Sequence, residues 1–126
     1  RSGEQVLLDD LKGRLDCYFS VHYGHLGAPK RSQFTFRPHP TGPEPMHFDR
    51  EVGRVITAFV NLSDRPRVWR LGPTRAEPDR VDWRLEDEPG YRREFAPGSL
   101  WVVRAECVSH QIVDGDCCVQ FNWHLS

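Results

Sequence analysis

The sequence predicts a mainly β domain, a small sandwich or barrel preceded by one N-terminal helix. Three observations carry this. Helical spacing of apolar residues is confined to about residues 4–19. From residue 32 onward the apolar residues fall in short runs rich in β-branched and aromatic side chains. Ten prolines and ten glycines punctuate the 126 residues, which calls for many turns and argues against a helical bundle. A chain of this length closes one core of modest size, so a single domain is expected over 1–126, with its core at about 32–125.

The elements follow in order. Leu7, Leu8, Leu11, Leu15, Tyr18 and Phe19 recur on one helical face, with Gly13 a mild weakness within it. "SQFTFRP" (32–38) alternates as a strand does, and "HPTGPEP" (39–45) reads as a loop. "RVITAFVNL" (54–62) is the strongest strand, with polar Asn61 near its end. Between Asp64 and Pro97 the chain turns charged, with short strands expected at 67–71 and 81–85 on long loops. This stretch is expected to cover the mouth of the barrel, its Trp69–Arg70 and Trp83–Arg84 pairs facing a substrate. Pro97-Gly98 starts the strand "SLWVV" (99–103). "SHQIV" (109–113), a turn at Asp114-Gly115-Asp116 and "CCVQFNWHL" (117–125) read as a hairpin.

Composition excludes several classes. A formal charge of −1 gives no basic field for nucleic acid. No apolar run approaches the ~20 residues of a membrane-spanning helix. The four cysteines form no C-x-x-C, so reduced thiols are expected, and with no signal-peptide pattern at the N-terminus a cytoplasmic location follows as the expectation.

Chemistry concentrates at His47-Phe48-Asp49, just before the strongest strand. In an extended chain positions i and i+2 share a face, so imidazole and carboxylate converge. His110, on a later strand after the Pro-Gly turn, supplies a second imidazole. Two imidazoles and a carboxylate on one face make half an octahedron with open positions, a set that suits Fe(II) better than a structural zinc site.

The pattern His47-x-Asp49 … His110, with "RVITAFVNLSD" after the pair and "FAPGSLWVV" before the last histidine, resembles the Fe(II)/2-oxoglutarate-dependent dioxygenases over about residues 33–124. The resemblance implies a double-stranded β-helix (jelly roll) of the cupin type. It implies His47, Asp49 and His110 as metal ligands and catalytic residues, with Fe(II) and the co-substrate 2-oxoglutarate. It also implies O₂ and a small-molecule or amino-acid-like substrate as partners. The retained Asp49 argues against the halogenating relatives, which lack that carboxylate. The chain departs from the family pattern in one respect. The family places an arginine about ten residues after the distal histidine to hold the far carboxylate of 2-oxoglutarate, and here no Arg or Lys follows Arg104. Arg54 is the first substitute cation, then Arg104. Gln120 and Asn122 are neutral candidates, provided the 114–116 turn sets their face toward the metal. Two alternatives remain open: a metal-binding cupin that uses no 2-oxoglutarate, and a non-catalytic jelly-roll binding domain.

Overall fold

The structure, a computed structural model, describes residues 2–38, 44–49, 53–76 and 90–126. Helix α1 (Gly3–Tyr23) is capped by Ser2, whose Oγ accepts from the Gln5 amide at 3.1 Å. A 3₁₀ turn at Gly24–Leu26 ends it. Seven strands follow: β1 (Arg31–Arg37), β2 (Val55–Asn61), β3 (Arg67–Thr74), β4 (Tyr91–Phe95), β5 (Leu100–Val103), β6 (Val108–Asp114) and β7 (Cys118–His124). They form two antiparallel sheets, β1-β7-β2-β5 and β4-β3-β6. Residues 44–49 run beside β6. His47 and His110 form an isolated antiparallel bridge there, and Gln111 Nε2 donates to the Glu44 carbonyl at 2.7 Å.

The central strands of the four-stranded sheet, β2 and β7, are buried on both faces, and β2 accordingly reads as a nearly continuous apolar run. On its outer face Ile56, Ala58, Val60, Val119, Phe121 and Trp123 pack against Leu15 and Phe19 of α1. Phe19 stacks on Phe121 and Trp123 at centroid distances of 5.4 and 5.2 Å. On the inner face Phe59 of β2, Trp69 of β3, Phe95 of β4 and Trp101 of β5 form an aromatic cluster between the sheets.

Asn61, open in sequence to either a solvent or a pocket role, is fully buried. Its amide donates to the Arg65 and Phe95 carbonyls and accepts from Ser63, tying the β2–β3 loop and the end of β4 to the end of β2. Gly98 takes φ +76°, the left-handed conformation the Pro-Gly turn requires, and donates to the Asn61 carbonyl.

Two expectations are corrected. The segments around 109–113 and 117–125 are not a hairpin: β6 pairs with β3, whereas β7 lies between β1 and β2. Their connection is a corner from one sheet to the other. Arg65 holds the Asp114 carboxylate through two contacts of 2.9 Å, and buried Arg67 donates to the Asp116 carbonyl. Burial decides this. Strand β7 is buried along nearly its whole length, with Val119, Phe121 and Trp123 on the face toward α1 and Cys118, Asn122 and His124 on the other, and so needs a central place in the sheet. The segment Asp64–Pro97 is also not purely a cover: Trp69 is a buried core residue of β3, and Tyr91–Phe95 is a strand where loop was expected. Residues 39–43 and 77–89, with the expected strand at 81–85, Trp83 and Arg84, lie outside the described residues.

The helix–sheet contact generates a stability prediction. Phe19→Ala should cost about 3–5 kcal/mol, as removal of a fully buried aromatic does, read as a lower urea midpoint with an unchanged m-value.

Candidate metal centre

His47 and His110 are hydrogen-bonded cross-strand partners. His47 N–H donates to the His110 carbonyl at 3.0 Å and His110 N–H to the His47 carbonyl at 2.9 Å. Directly opposed residues in an antiparallel pair send their side chains to one face, and here the ring centroids lie 4.5 Å apart. Asp49, two residues on, is fixed by its amide donating to the Ala105 carbonyl at 2.9 Å. A bulge in β3 at Gly72-Pro73 sets the register opposite. Pro73 has no N–H for the ladder, and Ser109 Oγ donates to its carbonyl at 2.6 Å.

Each histidine places Nδ1 against a backbone carbonyl, His47 on Pro45 at 2.7 Å and His110 on Val108 at 2.8 Å. Nδ1 therefore carries the proton in the neutral rings, and both Nε2 atoms are left to act as ligands. They lie 3.4 and 3.1 Å from Asp49 Oδ1. Donors ~2.1 Å from one ion and at right angles to each other lie ~3.0 Å apart, so the set fits a facial half-octahedron. Two nitrogens and one carboxylate oxygen, with no thiolate, suit Fe(II). Among the described residues this is the one group of three such side chains whose donor atoms lie within 4.8 Å of one another.

The electrostatics are those of a site waiting for a cation. Burial alone would raise the Asp49 carboxyl, but hydrogen bonds from His110 and His47 and their charge hold it well below the usual range. Burial alone would lower the His47 imidazole. The bond to Asp49, the Pro45 carbonyl and the charges of Glu44 and Asp49 outweigh this and raise it.

The triad opens into a cavity of about 140 Å³, lined also by Arg37, Glu44, Phe59, Trp69, Ile112 and Gln120. Trp69 stacks on the His110 ring at 5.1 Å. Gln120 thus faces the metal site, which settles the register left open by the sequence. Its Nε2 donates to Asn122 Oδ1 at 3.3 Å, so Asn122 stands behind it, not in the cavity wall. Arg54 is exposed, beside Ser126, five residues before Phe59 and so ~17 Å along the strand. Arg104 is paired with buried Glu106 at 2.8 Å, whose carboxyl burial pushes up against the pull of that arginine. Neither arginine lines the cavity.

Among the described residues the cation that does is Arg37, whose guanidinium donates to Gln120 Oε1 at 3.1 Å. The sequence held a signal for it. In "SQFTFRP" alternation puts Gln33, Thr35 and Arg37 on one face and Phe34 and Phe36 on the other, and the phenylalanines belong with the helix.

No protein-family model matches the chain, and no curated protein matches it in sequence. Solved structures match in fold. The Kdo hydroxylase KdoO, described as a non-haem Fe(II) α-ketoglutarate-dependent dioxygenase, superposes with a TM-score of 0.71 at 15% identity. Its complexes with succinate and Fe(III), with cobalt(II), and with α-ketoglutarate and Fe(III) give the same values. The fold is the double-stranded β-helix of the dioxygenases. The match covers 98% of this chain but 65% of KdoO, so the chain spans just under two thirds of that protein's length. No helix among the described residues is long and apolar enough to cross a membrane.

The titrations set a pH dependence. In the metal-free protein the raised His47 contributes stability below the ordinary histidine range (~6.5), lost as pH rises through its raised value. The depressed Asp49 contributes above the ordinary aspartate range (~4), lost as pH falls through its lowered value. A metal competes with the His47 proton. Co(II) affinity, by calorimetry between about pH 5.5 and 8.5, should therefore rise with pH and level off above the raised His47 value. In His110→Ala that binding should be lost while the far-UV spectrum is kept.

Proposed function

We propose that the chain is the core of a mononuclear Fe(II) oxygenase that consumes 2-oxoglutarate and O₂ and oxidises a small molecule, by hydroxylation. The observation that carries this is the His47–Asp49–His110 set, its two Nε2 atoms freed by carbonyl-bound Nδ1 groups, at the mouth of a double-stranded β-helix. The activity of the KdoO structures on Kdo supports hydroxylation of a small molecule as the reaction class.

Bound Fe(II) would supply the coupling of keto-acid decarboxylation, to succinate and CO₂, with oxidation of a substrate C–H bond by O₂. The chain's own residues do the rest. His47, Asp49 and His110 hold one face of the ion and leave the other for the co-substrate and O₂. Phe59, Trp69 and Ile112 give the otherwise polar cavity one apolar wall beside the triad.

Arg37 and Gln120 are the proposed holders of the far carboxylate of 2-oxoglutarate, in place of the arginine the family carries on the strand of β7. Arg37 reaches the same place from β1, the neighbour strand, where it pairs in register with Cys118. Gln120 orients the guanidinium and is itself held by Asn122. A planar fork so held presents two parallel N–H groups to a carboxylate. This arrangement removes the main support for a cupin that uses no 2-oxoglutarate.

The test is succinate release from 2-oxoglutarate under Fe(II) and air. No succinate from an iron-loaded protein would return the chain to the cupin reading, and no metal binding at all would leave a binding domain. Arg37→Ala should weaken 2-oxoglutarate binding at least about tenfold, the scale of a lost charge-assisted bond, with Co(II) affinity unchanged. Arg54→Ala should change neither.

A further inference from the structure

Glu44 stands in the wall of the metal cavity and holds neither the metal nor, on the reading above, the co-substrate. It lies three residues before His47 on the segment beside β6, whereas Arg37 and Gln120 reach the cavity from the four-stranded sheet. Its place is fixed at two points. Gln111 Nε2 donates to the Glu44 carbonyl at 2.7 Å, and Gln111 Oε1 is held in turn by Arg70 at 3.0 Å. The Ile112 amide donates to Glu44 Oε1 at 3.2 Å. That bond engages one carboxylate oxygen, and Oε2 has no hydrogen bond or ion pair among the described residues. Arg37 lines the same cavity but rests on Gln120, so the two opposite charges face the space without meeting. The Glu44 charge reaches the triad, since it is one of those that raise the His47 imidazole.

We propose that Glu44 selects the substrate, a small protonated amine whose ammonium group meets Glu44 Oε2 and whose carbon chain lies beside the triad. The inference rests on the oxygenase reading and narrows its substrate from any small molecule to a cationic one. Charge balance supports it. The charges of Fe(II) and a 2-oxoglutarate dianion cancel, as do those of Asp49 and Arg37, so among the described groups Glu44 leaves the loaded site one negative charge. In a partly buried place such a charge favours a partner of opposite sign. Size supports it too. At about 140 Å³ the cavity is below the ~300 Å³ where pockets for drug-sized ligands begin, so beside a co-substrate it has room for the reacting end of a substrate and little more. An ammonium is a compact charge with three donors and suits one free carboxylate oxygen. A neutral hydroxyl can donate to that oxygen but leaves the charge unbalanced. The competing account makes Glu44 a brace for the Ile112 amide. At 3.2 Å that bond is longer than the ~2.7–2.9 Å of charge-assisted pairs, and an uncharged amide oxygen would serve it as well. The brace therefore predicts no preference by charge.

The test is proton relaxation of two probes of one shape, butylammonium and butan-1-ol, at neutral pH. The whole chain is loaded with Co(II) and 2-oxoglutarate, and Zn(II) in place of Co(II) gives the diamagnetic reference. The paramagnetic ion speeds relaxation of protons held near it, so binding beside the triad is read without turnover. The expected result is a saturable enhancement for butylammonium, with an affinity at least about tenfold above that of butan-1-ol. Glu44→Gln keeps an oxygen for the Ile112 amide and removes the charge. It should bring butylammonium down to the level of butan-1-ol, leave butan-1-ol unchanged and not weaken 2-oxoglutarate. The proposal is overturned if butylammonium shows no enhancement, if the two probes bind equally, or if the preference survives in Glu44→Gln, as it would for an amine bound to the ion itself. Uptake of Co(II) and 2-oxoglutarate is measured first by calorimetry. Its failure overturns the oxygenase reading, and this inference with it, and is thereby told apart from a failure of Glu44 alone.

Discussion

The reciprocal backbone bridge between His47 and His110 is the constraint on which the site depends. Two hydrogen bonds of 2.9 and 3.0 Å make the two residues direct cross-strand partners, which fixes both imidazoles on one face before any metal is present. The local geometry then follows. Position i+2 brings Asp49 to that face, and the carbonyls of Pro45 and Val108, each two residues before its histidine, set the ring tautomers. Everything around the bridge serves to hold its register: the Gly72-Pro73 bulge in β3, Ser109 on the Pro73 carbonyl, and Glu44 Oε1 accepting from the Ile112 amide. A slip of one residue in β6 would turn His110 to the other face and leave Ser109 or Gln111 in its place.

A preformed set of this kind costs stability. Two imidazoles against one carboxylate in a half-buried place leave lone pairs facing each other, and a cation relieves them. A proton on His47 relieves them too, and the raised His47 and depressed Asp49 record that favourable pairing in the absence of metal. The fold offsets the cost away from the site, in the stacked aromatic layer between α1 and β7 and in the Phe59–Trp69–Phe95–Trp101 cluster between the sheets. Those two layers explain how a chain with a modest core can tolerate a polar network that runs from buried Asn122 through half-buried Gln120 to exposed Arg37.

Trp69 joins the parts. It packs in the inter-sheet cluster, lies flat on the His110 ring and walls the metal cavity. A side chain with three such duties couples packing to the orientation of a ligand, and its position in the middle of β3 gives it little freedom to move.

The sequence by itself determined what depends on neighbours a few residues apart. Helical spacing gave α1, although it ended four residues short, because the last turn, up to Tyr23, has weak periodicity. Alternation gave β1 and β7, a β-branched and aromatic run gave β2, and the i, i+2 rule joined His47 to Asp49. The cluster of His47, Asp49 and His110 was legible for that reason, with His110 singled out by its place on a later strand after the Pro-Gly turn. Tertiary structure alone decided which strands pair. A three-residue turn at 115–117 has the length of a hairpin whether it joins neighbours in one sheet or turns a corner between two, and the difference lies in burial of β7 on both faces. Strand β4 was not legible, because "YRREF" on an exposed edge has no apolar alternation. Arg37, the described cation beside the triad, was missed for the same kind of reason. Distance along the chain pointed to Arg54, next to the metal pair, but a strand carries a residue ~3.4 Å farther with each step, while its neighbour strand lies under ~5 Å away. Arg37 is remote from Gln120 in sequence and adjacent to it across the sheet, and only the pairing of β1 with β7 brings them together.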